Sequence, residues 1–388
     1  MELQYSGKKS VKDVLKEAKA YQPIMLNAEK PAFIKGDNFD VLSSLLVSGL
    51  SGKIDLVYID PPYNTNQVFT VDKERTSTIS RSKSAIVAYA DQMTPDEYLE
   101  FIRQRLILLR ELLSDSGSIY LHIDSKMGHY VKIIMDEVFG IGNFKNDISR
   151  IKSNPKNFTR KAYGNQKDVI LFYAKNKDKN IFNNVTVPFS ENQKLEKFTK
   201  TDKNGRRYTT VPVHAPGETG NGKTSEEWHG MLPPKGRHWR TCPEKLDELD
   251  KNGLIEWSKN GVPRMKKYAD EHKGKKIQDV WNYIDPAYPL YPTEKNLDML
   301  EMIIAQSSNE NSIVLDCFAG SGSTLLASQN QERKWIGIDR SDISAEVIKK
   351  RLTGIDYQFI DLNELHNEQP SKLYTTSRSD RKSVAFAL

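Results

Sequence analysis

A six-residue apolar run, Ile54-Asp55-Leu56-Val57-Tyr58-Ile59, stops abruptly at Asp60-Pro61-Pro62-Tyr63. A short run rich in β-branched and aromatic residues is the pattern of a buried strand. Two successive prolines fix the backbone and withdraw two N–H donors, so a ladder cannot continue through them. A strand buried on both faces needs helices on both sides, and the flanking sequence supplies them. Thr94-Pro95-Asp96-Glu97 opens a helix, with Thr94 at the N-cap, Pro95 in the first turn and Glu97 returning to the cap. Tyr98, Phe101, Ile102, Leu109, Leu112 and Leu113 continue its apolar face, and Gly117 is read as its stop. Strands are expected at Ala32–Lys35, 118–123, 168–174, 312–315 and 332–338, and helices at Gly128–Phe139, 297–305 and 344–352. This rhythm predicts a doubly wound α/β sheet.

Between about 182 and 285 the periodicity dissolves and Gly, Pro, Lys, Asn and Trp become frequent, which reads as an inserted module. The expected organisation is an N-terminal extension over 1–30, α/β halves over 31–181 and 286–365, the insertion over 182–285, and a mobile tail over 366–388. The polar 66–93 segment reads equally as a flap and as a disordered connection. The longest apolar runs, such as 106–109, fall far short of a bilayer span, and the first residues carry no signal-peptide core, so a cytoplasmic location away from membranes is expected. Two distant cysteines, Cys242 and Cys317, argue against disulfides or a thiolate zinc site, and the seven histidines form no HExxH pair, so no metal is expected.

Asp60-Pro61-Pro62-Tyr63 lies where open α/β sheets bind ligands, at the carboxyl end of a strand. One reading is simply a rigid turn. The other is chemical. The lone pair of an aromatic amine is delocalised into its ring, so the nitrogen is a poor nucleophile. If Asp60 and the Pro61 carbonyl each accept an amino hydrogen, the lone pair localises and can meet an electrophilic methyl group. Tyr63 then stacks on a base drawn out of its duplex. Attack on a ring carbon of cytosine needs instead a cysteine, typically after proline; Cys242 follows Thr241 and Cys317 follows Asp316.

A second strand end, Asp316-Cys317-Phe318-Ala319-Gly320-Ser321-Gly322-Ser323-Thr324, places glycines where a ligand approaches backbone. It is not a dehydrogenase GxGxxG, because Leu325 follows Thr324. Asp339 ends the next strand, where a carboxylate holds ribose hydroxyls.

Together these motifs resemble the β-class amino-methyltransferases of bacterial restriction–modification systems, most nearly the modification subunits of type III systems and similar phage or solitary adenine methyltransferases. The resemblance covers roughly residues 30–175 and 285–360. It implies a Rossmann-like, seven-stranded S-adenosylmethionine-dependent methyltransferase fold, circularly permuted, with a target-recognition region inserted. By position it assigns Asp60, Pro61, Pro62 and Tyr63 to catalysis. Asp37, Asn38, Asp60, Thr293, Lys295, Asp316, Phe318, Gly320, Gly322 and Asp339 are assigned to S-adenosyl-L-methionine. The family's usual glutamine and proline are here Glu294 and Asn296. Asp in the first catalytic position favours N6-adenine, where N4-cytosine enzymes more often carry Ser. A non-catalytic DNA-recognition subunit is the competing reading. The implied partners are double-stranded DNA, a second copy in a homodimer, and a restriction subunit.

Net charge is +6, but clustering says more. From Lys145 to Lys167 seven basic residues face one acid, Asp147, and from Lys259 to Lys276 seven face two. Such runs are often solvated faces; beside a base-flipping motif they suit phosphates. Lys152, Asn154, Lys156, Arg160, Lys161, Arg237, Arg240, Lys266 and Lys267 are the DNA-binding candidates. His122 and Trp281 read as structural, and Arg237-His238-Trp239-Arg240 either reads bases or packs.

Overall fold

A computed structural model describes residues 2–63, 93–155, 161–286 and 294–364, with the backbone alone at 68–71, 76–77 and 86–90. The described chain divides into two compact units, 1–184 with 278–388, and 185–277. In the first unit the strands are β1 (Ala32–Lys35), β2 (Ile54–Ile59), β3 (Leu113–Ile123), β4 (Phe144–Ile151), β5 (Lys167–Ala174), β6 (Val280–Asn282), β7 (Ile313–Asp316), β8 (Lys334–Asp339) and β9 (Gln358–Asp361). They form one sheet in the order β6-β4-β5-β3-β2-β7-β8-β1-β9. Every neighbouring pair is parallel except the two that involve β5. The sheet is therefore nine-stranded among the described residues, where seven strands were expected. The two edge strands, β6 and β9, are three and four residues long, too short to carry a readable period.

The helices of this unit are α1 (Val11–Ala18), α2 (Asn38–Leu45), α3 (Pro95–Leu112), α4 (Gly128–Phe139), α5 (Leu297–Ser307), α6 (Ser323–Asn330) and α7 (Asp342–Arg351). They cover both faces. Ala32 and Ile34 of β1 join a core with α1 to α4, whereas Phe33 between them packs with Leu325 of α6 and Ala345 and Ile348 of α7. That is the period of two expected of a strand buried on both sides. Burial of each of the large side chains Ile34, Phe33, Leu325 and Ile348 contributes about 1.5–3 kcal/mol.

The capping box at Thr94 forms as expected, with its Oγ1 accepting from the Glu97 amide at 3.3 Å and Glu97 Oε2 accepting from the Thr94 amide at 2.9 Å. Gly117 does not end α3, which stops at Leu112. It lies within β3, where a Cβ would come within 2.9 Å of the Ile54 carbonyl oxygen and 2.8 Å of a Leu113 methyl. The glycine serves a bulge between β2 and β3, where Ile54 pairs with Leu113 and Leu56 with Ser118.

The expected insertion at 182–285 is, in the structure, 185–277, because residues 280–282 add an edge strand beside β4. This second unit holds a four-stranded antiparallel sheet in the order Lys200–Thr201, Arg207–Pro212, Pro263–Tyr268, Ile255–Trp257. Val213, Trp228, Trp239, Leu246, Ile255 and Met265 form a small core of its own. In the 66–93 segment, Val68–Val71 pairs with Thr76–Ser77 and with Ile86–Ala90 in a small antiparallel sheet, so its described backbone is hairpin-like rather than an open loop. The 366–388 tail lies outside the described residues. No described helix is long and apolar enough to cross a membrane.

Candidate active site

Strands β2 and β7 are adjacent and parallel, with Val57 opposite Leu315, and the helices that follow them, α3 and α6, belong to the cores on opposite faces of the sheet. This is a topological switch point, which opens a crevice at the carboxyl edge. The cavity there is lined by Gly36, Asp37, Asn38, Asp60, Lys295, Asp316, Phe318, Gly320 and Asp339, among others. Asp60 and Asp316, 256 positions apart in sequence, thus meet in one crevice. Thr293, Lys156 and Arg160 lie outside the described residues.

Asp60 follows the last residue of β2, and both of its oxygens are engaged. Tyr63 Oη donates to Oδ1 at 2.6 Å, and Lys295 Nζ lies 2.5 Å from Oδ2. Lys295 Nζ is also 5.6 Å from the centre of the Tyr63 ring. Pro61 is buried and Pro62 lines the cavity, so the turn is held rigidly on the sheet edge.

The glycine turn after β7 is built around two carboxylates, Asp316 buried and Asp339 half-buried. Asp316 Oδ1 accepts from the Phe318 amide at 2.9 Å. Burial pushes its pKa up to about 7. Asp339 accepts from the Gly320 amide at 2.8 Å and the Ser341 amide at 2.9 Å, and burial raises its pKa too. Gly322 sits at φ 74°, and a Cβ there would meet Ile348 Cγ1 at 2.8 Å, so this turn needs glycine for both backbone and space. Ser344 Oγ donates to the Gly320 carbonyl at 2.6 Å and ties α7 to the turn.

On the opposite wall Asp37 caps α2, accepting from the Phe39 amide at 2.8 Å. Asn38 donates to the Cys317 carbonyl at 2.9 Å, and Arg105 donates to both Asn38 and Asp37. Arg105 in turn stacks 3.9 Å over Phe101, whose ring meets Phe318 edge-on. The two departures from the family motif have structural partners. Asn296 caps α5, its Oδ1 accepting from the Met299 amide at 3.0 Å, and Glu294 forms an ion pair with Arg351.

The sequence reading missed several groups here. Tyr58 lines the cavity, and its alternation with Asp60 along β2 was the available signal. Arg105 lies one helical turn beyond Phe101, a charge on a buried helix face. His122, read as structural, is fully buried in an apolar strand against Tyr58. Trp281 is buried and donates to the Gln278 carbonyl at 2.7 Å.

The DNA-binding candidates are spread over both units. Asn154 and Lys161 are exposed, while Lys152 Nζ pairs with Asp168 at 2.6 Å. In the second unit Arg237, Arg240 and Lys267 are exposed and Lys266 lies 5.3 Å from the Tyr208 ring centre. Trp239 between the two arginines packs inward, donating to the Glu226 carbonyl at 2.8 Å.

Residues 54–350 match the profile of a family described as DNA methylase, of N6/N4 type. The chain belongs to this DNA methylase family. It is 41% identical over 367 residues to the type II methyltransferase M.EcaI of Enterobacter cloacae, covering 92% of this chain and 77% of that protein. It is 27% identical over 337 residues to the type II methyltransferase M.KpnI of Klebsiella pneumoniae, covering 78% and 77%. The StyLTI Mod subunit of a type III restriction-modification enzyme from Salmonella typhimurium is 26% identical over 329 residues, 76% of this chain and 49% of that subunit. The expected resemblance to type III modification subunits is thus present, although this methylase spans about half of that relative's length, and identity to the type II enzyme is higher.

Proposed function

We propose that this DNA methylase transfers a methyl group from S-adenosyl-L-methionine to the N6 amino group of an adenine flipped out of duplex DNA, directly and without a covalent enzyme–base link. The observation that carries this reading is Asp60, a carboxylate on a rigid two-proline turn at the switch point, facing a cavity lined by further carboxylates. Asp60 and the Pro61 carbonyl accept hydrogen bonds from the two amino N–H groups, drawing the nitrogen towards a pyramidal shape, and Tyr63 stacks on the extruded base. The nitrogen lone pair would form the new N–C bond as the methyl–sulfur bond breaks to a neutral thioether, and the one surplus amino proton would leave through Asp60 to solvent.

The cavity suits the cofactor on chemical grounds. A sulfonium and an ammonium group are cations, and Asp60, Asp316 and Asp339 together present them with carboxylates, the last two with raised proton affinity in this structure. A Cβ at Gly322 would close the turn against Ile348. Asp339 would hold the ribose hydroxyls, Asp37 and Asn38 the adenine, and Asp316, Phe318, Gly320 and Lys295 the methionine end, to which the family resemblance also assigns Thr293 by position. When bound, the cofactor supplies the electrophilic methyl group.

Ring-carbon methylation is disfavoured because Cys317 is buried with its thiol pushed far up by desolvation, and Cys242 lies at the start of the helix Pro243–Lys251 in the other unit. Asp in the first catalytic position favours adenine over cytosine. The second unit is the target-recognition region, with Arg237, Arg240, Lys266 and Lys267 contacting DNA alongside Asn154, Lys156, Arg160 and Lys161. Relatives named as Mod subunits support a restriction partner. Modification-sensitive sequencing of duplex DNA treated with protein and cofactor tests the reading. Methyl marks on adenine at one recognition sequence are expected; marks on cytosine N4 contradict the choice of base.

A further inference from the structure

Behind the catalytic turn lies a buried polar chain that the proposed transfer does not use. Tyr58 Oη lies 2.9 Å from His122 Nδ1, and His122 Nε2 lies 3.3 Å from Asp168 Oδ2. Lys152 Nζ donates to Asp168 Oδ1 at 2.6 Å, and Arg150 Nη1 is 3.9 Å from Oδ2. Arg150 continues to Asp285 through two contacts and to the Tyr283 carbonyl at 2.9 Å. His122 and Arg150 are 0% exposed and Tyr58 and Asp168 2%. Burying such a set seldom gains stability over a well-packed apolar core, so its geometry calls for another reason.

The chain has a direction. Burial alone would raise the Asp168 carboxyl, but bonds from His122 and Lys152 hold it well below the usual carboxylate range, so it is ionised and accepts only. His122 Nε2 must therefore carry a proton. Burial outweighs the Asp168 bond and keeps His122 below its usual value, so the ring is neutral and Nδ1 is an acceptor. Tyr58 must then donate. Its ring is locked in the cavity wall two residues before Asp60. The His122 ring also lies 6.4 Å from the ring of Tyr63, whose hydroxyl holds Asp60.

We infer that Asp168 and His122 are positioning residues: Asp168 fixes the tautomer of the His122 imidazole, which in turn holds the Tyr58 hydroxyl in the wall beside Asp60. Lys152 and Arg150 neutralise the pair, and Arg150 ties it to the Tyr283 carbonyl and Asp285. The inference rests on the methyltransferase reading for its kinetic consequence, and not for its tautomer.

Imidazole nitrogen NMR of the full-length protein labelled at histidine, with His122→Asn to assign the signal, reads the tautomer directly. The wild type carries the proton on Nε2. In Asp168→Asn the amide can donate to Nε2, and the proton shifts towards Nδ1. In Tyr58→Phe it stays on Nε2. Single-turnover methyl transfer slows about tenfold in each variant, the worth of one hydrogen bond, while cofactor and duplex affinities hold within about threefold. The double variant is no slower than the worse single one, because both act through one ring. A proton on Nδ1 in the wild type overturns the inference, as does wild-type transfer in Tyr58→Phe, which keeps the ring and the buried ion pairs if Asp168→Asn fails to fold. Absence of transfer by the wild type would overturn the functional reading and leave the tautomer result standing.

Discussion

Asp316 is 2% exposed at the end of β7, and burial pushes its pKa to about 7, against about 3.9 for an unfolded aspartate. The fold thus favours its protonated form. Its contribution to stability is fully present below about pH 4 and is lost as pH rises through about 7. We predict that the melting temperature of the cofactor-free methylase falls relative to that of Asp316→Asn between about pH 4 and pH 7. Thermal melts of both proteins across that window check it, and a difference that ignores pH contradicts it. At this scale legibility followed chain locality. Asp60, Asp316 and Asp339 were readable because each ends a strand and a strand's end is written locally. Tyr58, His122 and Asp168 were not, since they meet across β2, β3 and β5 and no short window contains that contact.

Among elements, the glycine turn into α6 makes the sharpest demand. Gly322 is left-handed and its missing Cβ is filled by Ile348. Gly322→Ala should cost about 1–3 kcal/mol and weaken cofactor binding, through strain at positive φ and overpacking. Adding Ile348→Ala removes the Cγ1 that the new Cβ would meet at 2.8 Å, so the two substitutions should cost less than their sum, while the strain at positive φ stays. Denaturant unfolding and calorimetric titration check both; a Gly322→Ala protein of unchanged stability would show that the turn tolerates a side chain. Helix starts were legible where a cap is coded within four residues, as at Thr94 and Glu97. Gly117 was misread because a glycine needed for close approach looks, in sequence, like a helix stop. The edge strands β6 and β9 depend on distant partners and carried no local signal.

At the scale of the molecule, the insertion was legible as a loss of periodicity, while its end was not, because the strand at 280–282 belongs to a sheet built from elsewhere in the chain. The division into two units leads to a prediction about salt. If the second unit grips phosphates through exposed Arg237, Arg240 and Lys267, duplex affinity should fall steeply with ionic strength. Each alanine substitution among them should then lower the log–log slope by about one, with cofactor affinity unchanged. Fluorescence anisotropy over a salt series measures this, and unaltered slopes in all three variants would remove the second unit from the phosphate contacts.

The most direct measurement is the identity of the methylated nucleoside. Duplex DNA incubated with the methylase and isotopically labelled cofactor is digested to nucleosides and resolved by mass spectrometry. The label should appear in N6-methyl-2′-deoxyadenosine, and transfer should drop by about 10²–10⁴-fold in Asp60→Ala with duplex affinity retained. Label in N4-methyl-2′-deoxycytidine would contradict the assignment of the base, and undiminished transfer by Asp60→Ala would contradict the assignment of the catalytic centre.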